Sequence, residues 1–249
     1  MSTTVTAINQ QLIDINAIGV QKIQQGDFIG ALNHLNRGLT MLLTTETEAK
    51  AAGVPTGSVG TNLGLYHYGH AIVKSTPLLT RDGAPLPPLK EHEDVFCLYN
   101  RALEIDADAA TLANSYQFGR HIVISVFLFN IGLIYHLVGL YKGTSAFVEK
   151  ALEFYSMSFE SAETTPSERC CVTGPTVKQF CLLAILNNIG HIHSYFGRLD
   201  ETAIVRDELA HNLSAFAPLF AQELRDEFRI MFLNAVFFSK DSLAGAPAA

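Results

Sequence analysis

Leu182 to Leu213 reads LLAILNNIGHIHSYFGRLDETAIVRDELAHNL, and the fold class turns on this stretch. Leu182, Ile185, Ile189, Ile192 and Phe196 recur at helical spacing and define one apolar face. Gly197 ends that helix, and Asp200 is placed to cap a second one. The second helix carries Ala203, Ile204, Leu209 and Leu213 inward, with Arg206, Asp207 and Glu208 mostly outward. Gly190 lies inside the first helix, where glycine costs about 1 kcal/mol against alanine. Close approach of the partner helix is the expected compensation. The stretch is a helical hairpin.

Its spacing recurs twice. Gly190 to Gly197, Gly19 to Gly26 and Gly132 to Gly139 are each seven residues. Around them stand Asn188-Ile189-Gly190, then Ile18-Gly19 with Gly26-Asp27-Phe28, Ala31, Leu35 and Gly38, then Asn130-Ile131-Gly132 with Tyr135, Ala151 and Leu152. This cadence resembles the tetratricopeptide repeat, a helical hairpin of about 34 residues. The third unit matches well in its first helix and departs in its second. There His193 stands for the usual Tyr, Thr202 for the first Ala, and Arg206 and Leu209 for the aromatic and the second Ala.

The resemblance implies an all-α chain of tetratricopeptide-like helical hairpins, an α-solenoid, in one domain over 1–240. The units fall at 9–44, 123–158 and 180–213. A terminal helix at 217–239 lines up Phe220, Leu224, Phe228, Met231, Ala235 and Phe238, and 241–249 is a disordered tail. Gly19 to Gly132 is 113 residues and Gly132 to Gly190 is 58. Both exceed one repeat, so insertions separate the units and direct stacking is an open question.

In the first unit, 9–25 forms a helix with Leu12, Ile15, Ala17, Ile18 and Ile23 inward, and 28–44 its partner. Residues 75–94 hold four prolines and an Asp-Gly, the mark of a linker or a hairpin tip. VFCLYNRALEI, 95–105, admits a helix or a strand. The β-favouring Val-Phe-Cys-Leu-Tyr start tips it to a strand pairing with Leu78 to Arg81, a small β-hairpin insertion near 77–105. No charge falls between Arg120 and Lys142. That length could span a bilayer near 122–141, or could be a helix buried on all sides. The buried reading is favoured, because the cadence explains Asn130, Gly132 and His136.

The formal net charge is −7 without a basic cluster, so no nucleic acid partner is expected. Cys97 and Cys181 stand alone and Cys170-Cys171 are adjacent, as suits reduced thiols in the cytoplasm. The opening residues lack the basic start and unbroken apolar run of a secretory signal. No phosphate-cradling glycine loop is present. His67 and His70 lack further ligands. His191 and His193 point apart on a helix, and Glu91, Glu93 and Asp94 belong to a charged turn. No enzyme activity, cofactor or metal is expected.

The resemblance instead implies binding of a protein or peptide along the first helices. The residues carried over are Asn16 and Val20; Phe129, Asn130, Leu133 and His136; and Asn187, Asn188, His191 and Ser194. Positions 187, 191 and 194 share a helix face. With no Lys or Arg among these ten, capture of a terminal carboxylate is not expected. An open groove would take an uncharged or apolar segment, its backbone held by Asn amides that both donate and accept. Alternatively, Asn130 and Asn188 satisfy neighbouring helices. An integral membrane protein and a homo-oligomer are the rival readings.

Overall fold

A computed structural model describes residues 3–51, 73–78, 96–105, 116–164, 177–216 and 231–235. Its elements are α1 (Thr3–Gln24), α2 (Phe28–Ala51), β1 (Val73–Pro77), β2 (Arg101–Ile105), α3 (Tyr116–Lys142), α4 (Ser145–Thr164), α5 (Val177–Tyr195) and α6 (Leu199–Phe216). Residues 231–235 are also helical. The terminal helix expected over 217–239 otherwise lies outside the described residues. So do His67, His70, Glu91, Glu93, Asp94, Cys170, Cys171 and the tail 241–249.

Three turns of one design join the helices in pairs. Gly26, Gly143 and Gly197 have φ of 74°, 60° and 66°, the left-handed region that glycine enters without strain. Around each, the residue after the glycine donates its N–H five residues back: Asp27 to Lys22, Thr144 to Gly139 and Arg198 to His193, all at 2.9 Å. The glycine itself donates three residues back, which completes a helix-terminating Schellman pattern. Gly139, which keeps the seven-residue spacing from Gly132, is not the turn glycine of its pair; Gly143 is. Leu140, Tyr141 and Lys142 extend α3 by almost one more turn. Asp200 also moves: the Arg198 carbonyl accepts the first bond of α6, from Thr202 at 2.9 Å. Asp200 and Glu201 lie in the first turn, where negative charge complements the helix dipole.

Within each pair the helices pack on each other, and α2 also packs on α3 and α4 on α5. The units thus touch in chain order despite the insertions. The chain between α2 and α3 returns as an antiparallel hairpin, with Val73 opposite Ile105 and Pro77 opposite Arg101. This replaces the expected pairing with Leu78 to Arg81. The reason lies in Pro77, which has no N–H to give. Opposite Arg101 its nitrogen faces away from β2, where no ladder bond is needed. Beyond the strand Leu78 N–H reaches Asn100 C=O at 3.4 Å. The far edge of β1 is capped: Arg101 Nη2 donates to Ser75 C=O and Gln24 Nε2 to Pro77 C=O. Such capping blunts edge-to-edge pairing.

The core joins α3 (Phe127, Phe129, Ile131, Leu133, Ile134, Leu137) and α5 (Leu183, Ile185) to the hairpin residues Phe96, Leu98, Tyr99, Leu103 and Ile105. Among the described residues one helix, Arg120–Lys142, is long and apolar enough to cross a membrane, and 83% of its apolar window is buried inside the protein. Two inward assignments are corrected. Ile204 is 68% exposed and Ile18 is 40% exposed. On α6 the inward row is Thr202, Arg206, Leu209 and Leu213, at steps of four, three and four. Arg206 is buried along this row and its guanidinium meets Asp207 at 2.7 Å. Its long apolar stem covers core surface while the head stays paired.

Candidate functional site

The first helices of the hairpins, α1, α3 and α5, carry Asn16, Asn130 and Asn188, all fully buried. Asn130 and Asn188 stand two residues before Gly132 and Gly190, and Asn16 three before Gly19. Their amides clamp the backbone of residues 96–105. Asn188 also reaches a neighbouring helix, through Tyr155 Oη at 3.1 Å. Asn130 accepts from Leu103 N–H at 2.8 Å and donates to Leu103 C=O at 2.7 Å. Asn188 does the same to Tyr99, at 2.9 and 3.2 Å. Asn16 bridges two residues, accepting from Ile105 N–H at 2.8 Å and donating to Leu103 C=O at 3.3 Å.

The row continues on 231–235. Asn234 accepts from Cys97 N–H at 2.9 Å and donates to Cys97 C=O at 2.8 Å. Asn187 reaches the same carbonyl at 3.0 Å and accepts from Asn234 at 2.7 Å. Ser194 Oγ accepts from Phe96 N–H at 3.3 Å. The clamped residues 97, 99, 103 and 105 are all odd. Alternate residues of an extended chain present their N–H and C=O to opposite edges. The odd edge of this segment therefore meets asparagine, and over 100–105 the even edge faces β1, while Phe96 N–H meets Ser194. A primary amide supplies one donor and one acceptor, as a neighbouring strand would. Four asparagines thus replace a third strand.

Side chains of the segment sit in fitted sockets. A Cβ built on Gly190 would lie 2.7 Å from the Phe96 ring, so this glycine admits an aromatic ring of the segment. The compensation for Gly190 is thus Phe96, not the partner helix expected from sequence. The Tyr99 ring meets Phe129 edge-on, centroids 6.4 Å apart, and Phe129 packs on Tyr155 at 5.5 Å. The charged positions meet β1: Arg101 bonds Ser75 at 2.7 Å and Glu104 accepts from Thr76 at 3.0 Å.

Behind Asn188 lies a buried polar chain. Asn188 Nδ2 donates to Tyr155 Oη at 3.1 Å, and Tyr155 Oη lies 3.5 Å from His136 Nδ1. His136 Nε2 lies 3.0 Å from His191 Nδ1. One proton order satisfies all three: Tyr155 donates to Nδ1, and the His136 Nε2–H donates to His191. Burial drives both histidines toward the neutral form. It holds His136 well below the usual value, aided by repulsion from His191, and lowers His191 to about 4. Burial also raises the Tyr155 hydroxyl, opposed by the Asn188 bond. These groups stay neutral at pH 7 and act as hydrogen-bond links.

Of the ten residues expected to line a groove, Asn16, Asn130, Asn187, Asn188 and Ser194 bond the segment and Phe129 holds its Tyr99 ring. His136 and His191 form the supporting pair, and Val20 and Leu133 are buried in the core. The face is not open, because the chain's own residues fill it. Sequence reasoning missed Asn234 and Tyr155. A signal for Asn234 existed: FLNA at 232–235 echoes LFNIG at 128–132. Among the described residues no group of three His, Cys, Asp or Glu could hold a metal. Cys181 is a buried thiol, pushed up to about 12 by burial, and serves as a small hydrophobe. Comparison of the chain with protein-family models, curated proteins and solved structures returns no match.

Proposed function

We propose that this chain is a protein-interaction module, a tetratricopeptide-like solenoid whose asparagine-lined face binds polypeptide in extended form without catalysis or cofactor. One observation carries the reading: amides on successive helices grip both backbone groups of Leu103, Tyr99 and Cys97. Groups of that kind recognise any extended backbone, whatever its side chains. The repeated turns at Gly26, Gly143 and Gly197 and the packing of α2 on α3 and α4 on α5 support the repeat class. Stacked repeats build extended binding surfaces. The burial of α3 favours a core helix over one that spans a bilayer.

Selection from a random-peptide display library on the full chain tests the reading, run in parallel on Asn130→Ala/Asn188→Ala with helical content monitored. Peptides enriched on the parent and lost on the variant are expected. Enrichment of none, or equal enrichment on both, would overturn it.

A further inference from the structure

Residues 96–105 reach the ladder from an insertion between the first two hairpins, while the hairpins pack on one another directly. The segment is thus the content of the face rather than one of its walls. We propose that it is a resident ligand, exchangeable for an extended segment of another polypeptide that carries the same apolar pattern: an aromatic at the place of Phe96, an aromatic at Tyr99, and aliphatic residues at Leu103 and Ile105. This rests on the reading of the face as a polypeptide site.

The chemistry of that partner follows from the sockets. Gly190 leaves room for a ring at the Phe96 position and for nothing attached to its own Cα. Phe129, itself packed on Tyr155, meets the ring at the Tyr99 position edge-on. Leu103 and Ile105 are buried, so a charge there would be stripped of water without a counter-ion. The helix side chains that bond the backbone of Phe96, Cys97, Tyr99, Leu103 and Ile105 are Asn and Ser, all neutral. Proline is excluded at the places of Cys97, Tyr99, Leu103 and Ile105, because each N–H is donated to an Asn oxygen. At the positions of Arg101 and Glu104 the bonds to Ser75 and Thr76 come from β1.

Exchange is governed by the tether. A segment held within the same chain acts at an effective concentration on the order of millimolar. A free peptide whose Kd for the emptied face is about 10 μM therefore binds the parent about 100-fold more weakly than a chain whose resident is disabled. The probe is the synthetic peptide VFCLYNRALEID, residues 95–106 of this chain, with a fluorophore at its N-terminus. Its target is the full chain carrying Tyr99→Pro/Leu103→Pro, which removes the N–H groups that Asn188 and Asn130 accept. Anisotropy titration should show binding to this variant, at least tenfold weaker binding to the parent, and loss with the peptide N-methylated at its Tyr and second Leu.

If the variant loses its helical circular dichroism, it is refolded with the peptide present. Recovery of the helical signal by the plain peptide, and not by the N-methylated one, supports the proposal. A folded variant that ignores the peptide, equal binding of both peptides, or refolding that neither peptide improves overturns it. A variant that captures parent chains but not the peptide makes the occupant a second copy and overturns the partner assignment. Display-selected peptides that need Asn130 and Asn188 but lack the aromatic–aliphatic pattern would leave the polypeptide site standing and remove this inference alone.

Discussion

Replacing Asn130 with Asp changes one amide NH₂ to an oxygen at almost constant volume. Asn130 is fully buried, and its Nδ2 donates to Leu103 C=O at 2.7 Å. An ionised carboxylate there would set an acceptor against an acceptor and bury a charge. A protonated carboxyl can instead accept from the Leu103 N–H and donate to the C=O, so the folded chain holds the proton. In the unfolded chain the group ionises near pH 3.9. The native state then binds more protons than the unfolded state above that pH, and the variant's stability falls as pH rises. If the proton is retained to pH 7, the loss is about 4 kcal/mol, from roughly three pH units at 1.36 kcal/mol each. Urea unfolding of parent and variant at several pH values from 4 to 8 gives the difference directly. It should be under about 1 kcal/mol near pH 4 and grow to about 4 kcal/mol at pH 7. A penalty that stays small and flat across that range would refute the clamp.

Two further outcomes follow from the same geometry. Gly190→Ala should destabilise by about 1–3 kcal/mol through the Phe96 ring, and most of that cost should vanish in a Phe96→Ala background; additive effects would remove the contact. The His136–His191 pair makes the chain acid-sensitive: with folded values below the usual 6.5, the unfolded state takes up protons first, so stability is full above about pH 6.5 and drains as pH falls toward 4. His191 contributes about 3 kcal/mol to that loss, and chemical denaturation of His191→Leu should show a shallower decline between pH 6.5 and 4 than the parent.

The hairpins were legible in sequence because their signals are local. Gly197 and Gly26 end helices by a bond pattern closed within six residues, and Leu182, Ile185 and Ile192 keep helical period. Gly139 misled, because seven-residue spacing matched the cadence while the chain held helix to Lys142. The asparagines were also legible as a polar row on apolar helices. What they bind was not, since Asn16 meets Ile105 and Asn188 meets Tyr99 across 89 residues of chain. Helical period alone misplaced Ile204 and Arg206, and the positions that the repeat cadence gives to Thr202, Arg206 and Leu209 were the better guide. Composition placed a strand at the Val-Phe-Cys-Leu-Tyr start of 95–105, whereas the strand is Arg101–Ile105 and 96–100 lie outside it; its register depended on Pro77 and on a long-range partner.

The central claim is that asparagine side chains hold the backbone of residues 97 to 105, and residue-resolved hydrogen exchange measured by NMR tests it most directly. The N–H groups of Cys97, Tyr99, Leu103 and Ile105 should exchange as slowly as those in the middle of α3. Asn188→Ala should speed Tyr99 most, and Asn130→Ala should speed Leu103 most. Exchange of these four amides at the rate of a free peptide in the parent chain, or uniform acceleration by either substitution, would contradict the account.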